Sequence, residues 1–122
     1  MNDSLIPKPK YDLEERTFHF AKDVRIFIQS LPKSIANFED KKQLIRASGS
    51  VGANYIEANE SLGKKDFLMR IKISRKEAKE SEYFLRLIIE TNKLPNEDEG
   101  KRLFNEAIQL KKILSSIIEK TK

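Results

Sequence analysis

Helix-breaking residues are few in this sequence of 122 residues, and their spacing constrains the fold more than any other feature. The chain contains only 4 Gly and 4 Pro, and Pro32, Gly63 and Pro95 separate four long segments. Within each segment apolar side chains recur every three or four residues, the pattern of an amphipathic helix. Pro7 and Pro9 precede the first segment and predict an extended N-terminal arm over residues 1–11. Long amphipathic helices with short connections predict an all-α, antiparallel up-and-down four-helix bundle, a single domain over residues 1–122.

Polar residues followed three positions later by a carboxylate mark the predicted beginnings of three helices. These pairs are Asp12 with Glu15, Asn37 with Asp40, and Asn96 with Glu99. Helix two is predicted to end at about residue 61, with Gly63 as a left-handed C-cap. Helix three then covers about residues 65–92 and ends before Pro95.

The composition excludes several classes of function. The 24 Lys and Arg exceed the 19 Asp and Glu, which gives a net charge of +5. Because Cys is absent and His19 is the single histidine, few metal-binding or acid–base arrangements are available. The N-terminus lacks the basic start and apolar run of a signal peptide, and no apolar stretch approaches the roughly 18 residues of a membrane span. We therefore expect a cytoplasmic protein with no membrane contact, no catalytic residues, no cofactor and no metal.

Helix two contains an uncharged segment from Ala47 to Ile56, although 35% of all residues are charged. An exposed helix face normally carries charges, so this segment is predicted to be covered on more than one side. Gly49 and Gly52 each cost about 1 kcal/mol of helix propensity relative to Ala, which indicates a close helix approach within one chain or between subunits. On helix one, Ile26 lies away from the apolar stripe and is either a subunit contact or an isolated exposed side chain.

The short turn at Gly63 also predicts the register between helices two and three. Equal distances from this turn place Gly52 opposite Ser74, so that small residues meet at a close crossing, and place Arg46 level with Glu80. Glu77 and Glu80 lie inside an apolar seam of helix three. We hypothesise that Arg46 pairs with Glu77 or Glu80, and that this seam meets another element.

Helix three has one strongly basic face. Its segment 64–86 contains eight cations and four anions. The residues on this face are Lys72, Arg75, Lys76, Lys79, Tyr83 and Arg86. Such a face either binds the phosphates of a nucleic acid, with Tyr83 available to stack on an unpaired base, or is only a solvated helix surface. A weaker second cluster near the C-terminus comprises Lys111, Lys112, Lys120 and Lys122.

Residues 50–58 contain Ser50, Asn54 and Glu57 at the spacing S-x-x-x-N-x-x-E. This pattern resembles the signature of a bacterial four-helix-bundle family whose members include the protein encoded by intervening sequences in 23S ribosomal RNA genes. Residues 66–67 and 73–83 are similar to the second block of that family, and the resemblance extends over about residues 13–118. One departure is Ala58-Asn59, where many members have Gly after the motif glutamate.

The resemblance implies an architecture more than an activity. Members of this family are non-enzymatic four-helix bundles that assemble as homopentamers. A related accessory protein of diversity-generating retroelements is a basic pentamer that binds nucleic acid and works with a reverse transcriptase. The implied partners are therefore other copies of the chain, RNA or DNA, and a reverse transcriptase or another protein. The residues given a structural or oligomer-forming role are Arg46, Ser50, Asn54, Glu57, Glu77 and Glu80.

Two alternatives to an accessory or scaffold protein that binds RNA or DNA stay open. The first is a purely structural or protein-interaction oligomer. The second is a Mg²⁺-dependent all-α nucleoside triphosphate pyrophosphohydrolase, because Glu57-x-x-Glu60 and Glu77-x-x-Glu80 lie on adjacent helices. The axial offset between these pairs is at least about 12 Å at 1.5 Å per residue, which argues against a shared cation.

Overall fold

The computed structural model describes residues 12–122, which form four α-helices. They are α1 (Leu13–Ile28), α2 (Ile35–Asn59), α3 (Lys64–Thr91) and α4 (Glu97–Thr121). Each helix packs on the next along the chain, and α1 also packs on α4, whereas the diagonal pairs within residues 12–122 make no close backbone contact. This arrangement confirms the predicted all-α four-helix bundle. The predicted extended arm over residues 1–11 lies outside the described residues.

The core is built from the apolar stripes that define the four helices. Its large, fully buried members include Val24 from α1, Leu44 from α2, Leu85 from α3, and Leu110 and Leu114 from α4. Burying each such side chain contributes about 1.5–3 kcal/mol to folding. None of the described helices is both long and apolar enough to cross a membrane.

The beginnings of α1 and α2 differ in how well the capping pattern predicts them. At α1 the prediction is confirmed, since Oδ1 of Asp12 accepts a hydrogen bond from the backbone N–H of Glu15 at 2.9 Å. The prediction for Asn37 is wrong, because α2 begins about one turn earlier with Ser34 as its N-cap. The Ser34 hydroxyl oxygen accepts the Asn37 backbone N–H at 3.0 Å and already satisfies the first turn.

Asn37 instead links the loop between α1 and α2 to the loop between α3 and α4. Its side-chain amide is buried and exchanges two hydrogen bonds with that of Asn92, at 2.8 and 2.9 Å. It also donates to the backbone carbonyl of Pro32 at 2.8 Å. Asn96 begins α4 as expected, but its side chain makes no cap hydrogen bond. Its amide N–H instead donates to the Ser30 hydroxyl at 3.0 Å.

The predicted left-handed cap at Gly63 is wrong. Gly63 has an extended backbone, with a φ of −153°, and is the N-cap of α3. The last turn of α2 tightens instead, with the Glu60 and Ser61 N–H groups donating to the carbonyls of Glu57 and Ala58. Because these carbonyls are satisfied in this way, the chain needs no left-handed residue to leave the helix.

The close helix approach at Gly52 is present, but its partner is α1 and not α3. A Cβ at Gly52 would lie 2.7 Å from Oγ1 and 3.1 Å from Cβ of Thr17. On the α3 side, the Ser74 hydroxyl donates to the backbone carbonyl of Val51 at 2.7 Å. The predicted register between α2 and α3 therefore agrees with the structure, whereas the small residue at 52 provides room for α1.

Candidate nucleic-acid interface

A groove between α3 and α4 collects cations from both helices and has a volume of about 530 Å³. We call it the basic groove. Its lining residues are Lys72, Arg75, Lys76, Lys79, Lys111, Lys112 and Ser115. Sequence reasoning assigned Lys111 and Lys112 to a separate C-terminal cluster, but antiparallel packing of α4 on α3 brings them beside the α3 cations. The other two members of that cluster, Lys120 and Lys122, are not in the groove lining.

Most cations of the basic groove have no acidic partner in the described part of the chain. Lys72, Lys76, Lys79 and Lys112 make no ion pair there, and all four are exposed. An unpaired group of like charges repels itself and attracts anions. The groove is therefore a region of positive electrostatic potential.

Two further groove residues are partly engaged. Lys111 donates to Glu82 at 2.7 Å, so this carboxylate is directed toward α4 instead of interrupting the outer face of α3. The Arg75 guanidinium donates to the Ser115 hydroxyl at 3.4 Å. At the same end, a hydrogen bond from Lys122 lowers the pKa of the Glu119 carboxyl, and Arg75 adds a smaller lowering.

Tyr83 and Arg86 continue the α3 face beyond the groove. The Tyr83 side chain is 58% exposed, and its ring meets that of Phe84 edge to face at 5.3 Å and 83°. Arg86 donates to Glu90 at 2.9 Å, so its charge is partly neutralised. Of the six residues proposed on this face, Lys72, Arg75, Lys76 and Lys79 line the groove, whereas Tyr83 and Arg86 lie outside its lining.

The hypothesised pair between α2 and α3 is present within one chain. Arg46 donates to Glu80, and its Nη1 lies 3.3 Å from Oε1 of Glu77. Glu77 is buried and Arg46 is half exposed. The pair therefore clamps α2 to α3 within the chain.

The motif residues of α2 make different contacts. The Asn54 amide donates to the Ser50 carbonyl at 2.9 Å, and its oxygen accepts from Arg70 at 3.3 Å, which adds a further polar link to α3. The Glu57 side chain is exposed and is not part of the Arg46 clamp. Among residues 12–122, no group of three His, Asp or Glu side chains could hold a metal ion.

The face opposite the basic groove is apolar. Between α1 and α2 lies a groove of about 640 Å³, which we call the apolar groove. It is lined by Glu14, Thr17, Phe18, Ala21, Lys22, Arg25, Ile26, Gly49, Gly52, Ala53 and Ile56. Phe18 and Ile26 are 58% and 56% exposed.

The uncharged segment of α2 is covered by α1 and α3 on two sides. Its remaining side, with Ala53 and Ile56, is exposed and lines the apolar groove. The sequence pattern singled out Ile26 but not Phe18, which lies about two turns earlier on α1.

Comparisons with known proteins agree on one family. The 23S rRNA-intervening sequence protein family model matches residues 10–116. A crystal structure of a protein of unknown function from the S23 ribosomal protein family of Bacteroides thetaiotaomicron is similar with a TM-score of 0.76. The two chains are 28% identical, and the match covers 88% of this chain and 98% of that chain. No curated protein matches this chain significantly. The family match spans all four helices, and the chain belongs to the 23S rRNA-intervening sequence protein family.

Proposed function

We propose that this protein is a non-enzymatic, cytoplasmic homo-oligomer that binds RNA or DNA through the basic groove, as an accessory or scaffold protein. The observation that supports this proposal is the cluster of unpaired cations contributed by two adjacent helices. Phosphate contacts by Lys and Arg supply most of the non-specific affinity of nucleic-acid-binding proteins. From Lys72 to Lys79 the α3 row extends about 10 Å at 1.5 Å per residue, which suits a few successive phosphates.

The proposed oligomer uses the apolar groove as its contact with a second copy. Exposed apolar side chains that cluster in a groove are typical of interaction sites. A pentameric ring needs a head-to-tail contact, in which the apolar groove of one copy contacts a different surface of the next copy. Since the two grooves lie on opposite faces, assembly leaves the basic groove open and repeats it in every subunit. Following the family resemblance, we propose a pentamer, with a reverse transcriptase or another protein as a further partner.

The apolar groove also favours a second candidate function, a purely structural or protein-interaction oligomer. In that case the cations of the basic groove only interact with solvent and bind no nucleic acid. The Mg²⁺ pyrophosphohydrolase gains no support, because Glu77 is engaged by Arg46 and no acidic cluster for a metal is present in the described helices.

Binding to a labelled structured RNA across a salt series separates the two candidates. Neutralising about five phosphates predicts a slope near −4 on a log–log plot of affinity against salt, and a fall of about 200-fold from 50 to 200 mM. The Lys72/Lys76/Lys79→Glu variant should bind weakly and show a flatter slope. A Lys33/Lys93/Lys101→Glu variant changes the net charge equally at exposed positions outside the basic groove, and should bind like the unmodified protein. Equal losses in both variants, or no binding at low salt, would contradict the proposed role of the groove.

Light scattering tests the proposed assembly. The unmodified protein should have several times the 14.2 kDa mass of one chain. Ile26→Glu, which places a charge in the apolar groove, should shift the mass toward the monomer. Tyr83→Glu is the matched control, because Tyr83 is exposed to a similar degree on the opposite face. A monomeric unmodified protein, or unchanged assembly of Ile26→Glu, would exclude this contact.

A further inference from the structure

The position of Tyr83 points to the kind of nucleic acid that the basic groove accepts. We infer that the groove binds a single strand, whose phosphates lie along the α3 and α4 cations while one unpaired base stacks on Tyr83. This inference rests on the proposed nucleic-acid function and names its substrate class.

The first support is the alignment of Tyr83 with the row of cations. Lys72, Lys76, Lys79 and Tyr83 follow one another at helical spacing along the outer face of α3. Tyr83 therefore lies one turn, about 6 Å, beyond the last lysine of the row. A strand whose phosphates follow this row would bring a neighbouring base to the tyrosine ring.

The packing of α4 on α3 brings the positive charge of Lys112 to the end of the groove nearest Tyr83. Lys111 contacts Glu82, the residue before Tyr83, whereas Ser115 contacts Arg75. These two contacts fix the antiparallel register, so that Lys112 lies nearer to the Tyr83 end than Ser115 does. Cations of both helices therefore flank the approach to the ring.

Among residues 12–122, no aromatic ring stacks parallel to that of Tyr83. Its plane is nearly perpendicular to that of Phe84, so the contact orients Tyr83 without a stacked neighbour, and the side chain stays 58% exposed. Stacking on aromatic side chains requires unpaired bases, because in a duplex the faces of the bases are covered by their neighbours. A duplex would thus use the cations but leave Tyr83 without a role.

Fluorescence anisotropy with a mixed-sequence 20-nucleotide RNA, alone and annealed to its complement, tests the inference at one salt concentration. The unmodified protein should bind the single strand about tenfold more tightly. Tyr83→Ala should weaken single-strand binding about tenfold and leave duplex binding unchanged. Tyr83→Phe should keep the preference, because it retains the ring. Phe38→Ala is the matched control, since Phe38 is 57% exposed on another helix, and it should change neither affinity.

A single-tryptophan reporter gives a second readout. The chain contains no Trp, so the emission of a Tyr83→Trp variant reports on this position alone. Single-stranded RNA should quench this emission, whereas duplex RNA and a Phe38→Trp variant should show no quenching. Equal affinity for both RNAs with no effect of Tyr83→Ala would overturn the single-strand inference and leave the proposed function intact. If neither RNA binds, the proposed function itself fails.

Discussion

The two opposite grooves of the bundle differ in the kind of side chain that they expose. In the apolar groove, Phe18 and Ile26 are more than half exposed within the described part of the chain. In the basic groove, Lys72, Lys76 and Lys79 are exposed and have no acidic partner within residues 12–122. Neither arrangement adds packing to the folded chain, and in the proposed function each face contacts a different external partner. We therefore propose the apolar groove as the assembly surface and the basic groove as the nucleic-acid surface of this bundle.

The two side faces provide a useful contrast, because their charges are paired across helices. Between α1 and α4, Arg16 donates two hydrogen bonds to Glu106, at 2.7 and 2.9 Å, and the hydrogen bond raises the pKa of Arg16. Arg102 also bridges to Asp23 at 2.9 Å. Together with the Arg46 clamp between α2 and α3, these pairs link adjacent helices, whereas Lys72, Lys76 and Lys79 make no such link within residues 12–122.

The largest expected effect comes from filling the space that Gly52 leaves for α1. Gly52→Val should lower the free energy of unfolding by about 3 kcal/mol, because even its Cβ would overlap Thr17. Urea denaturation followed by circular dichroism measures this loss. The control is Ala53→Val, which enlarges the next side chain in the open groove and should cost about 0.5 kcal/mol. Similar losses for both variants would show that α1 does not depend on the glycine.

A smaller loss should follow removal of the clamp between α2 and α3. Arg46→Ala leaves the buried Glu77 carboxylate without its cation and should cost about 2 kcal/mol, less than for a fully buried pair because Arg46 is half exposed. Lys76→Ala removes an unpaired cation of the basic groove and should change stability by less than about 0.5 kcal/mol. Thermal and urea unfolding of both variants measure the difference. An equal loss of unfolding free energy in both variants would show that Arg46 has no larger structural role than Lys76 of the basic groove.

The smallest effect concerns the α4 side of the basic groove. Lys112→Ala should weaken RNA binding about three- to fivefold and reduce the salt slope by about one, as expected for one lost phosphate contact. Lys120→Ala, in the same C-terminal cluster but outside the groove, should leave both quantities unchanged. Equal effects of the two variants would mean that α4 contributes only general charge.

The features predictable from the sequence are those with a local cause. Helical periodicity was enough to predict which cations share one face of α3. The short turn after α2 was enough to predict that Arg46 and Glu80 lie at the same level along the two helices. The α4 half of the basic groove was not predictable, because the register between α3 and α4 depends on packing that no short-range pattern records. The same reason applies to Thr17, whose contact with Gly52 depends on how α1 crosses α2. At α2 the local signal was ambiguous, since both Ser34 and Asn37 are good N-caps.

The distinction between the two grooves can be tested most directly on the unmodified protein by acetylating its lysines briefly, with and without single-stranded RNA. Mass spectrometry then measures the reactivity of each lysine. The account predicts that RNA strongly protects Lys72, Lys76 and Lys79 and leaves Lys22 and Lys42, on the α1/α2 face, unchanged. Uniform protection of all lysines, or protection of Lys22 and Lys42 alone, would contradict the assignment of the basic groove as the nucleic-acid surface.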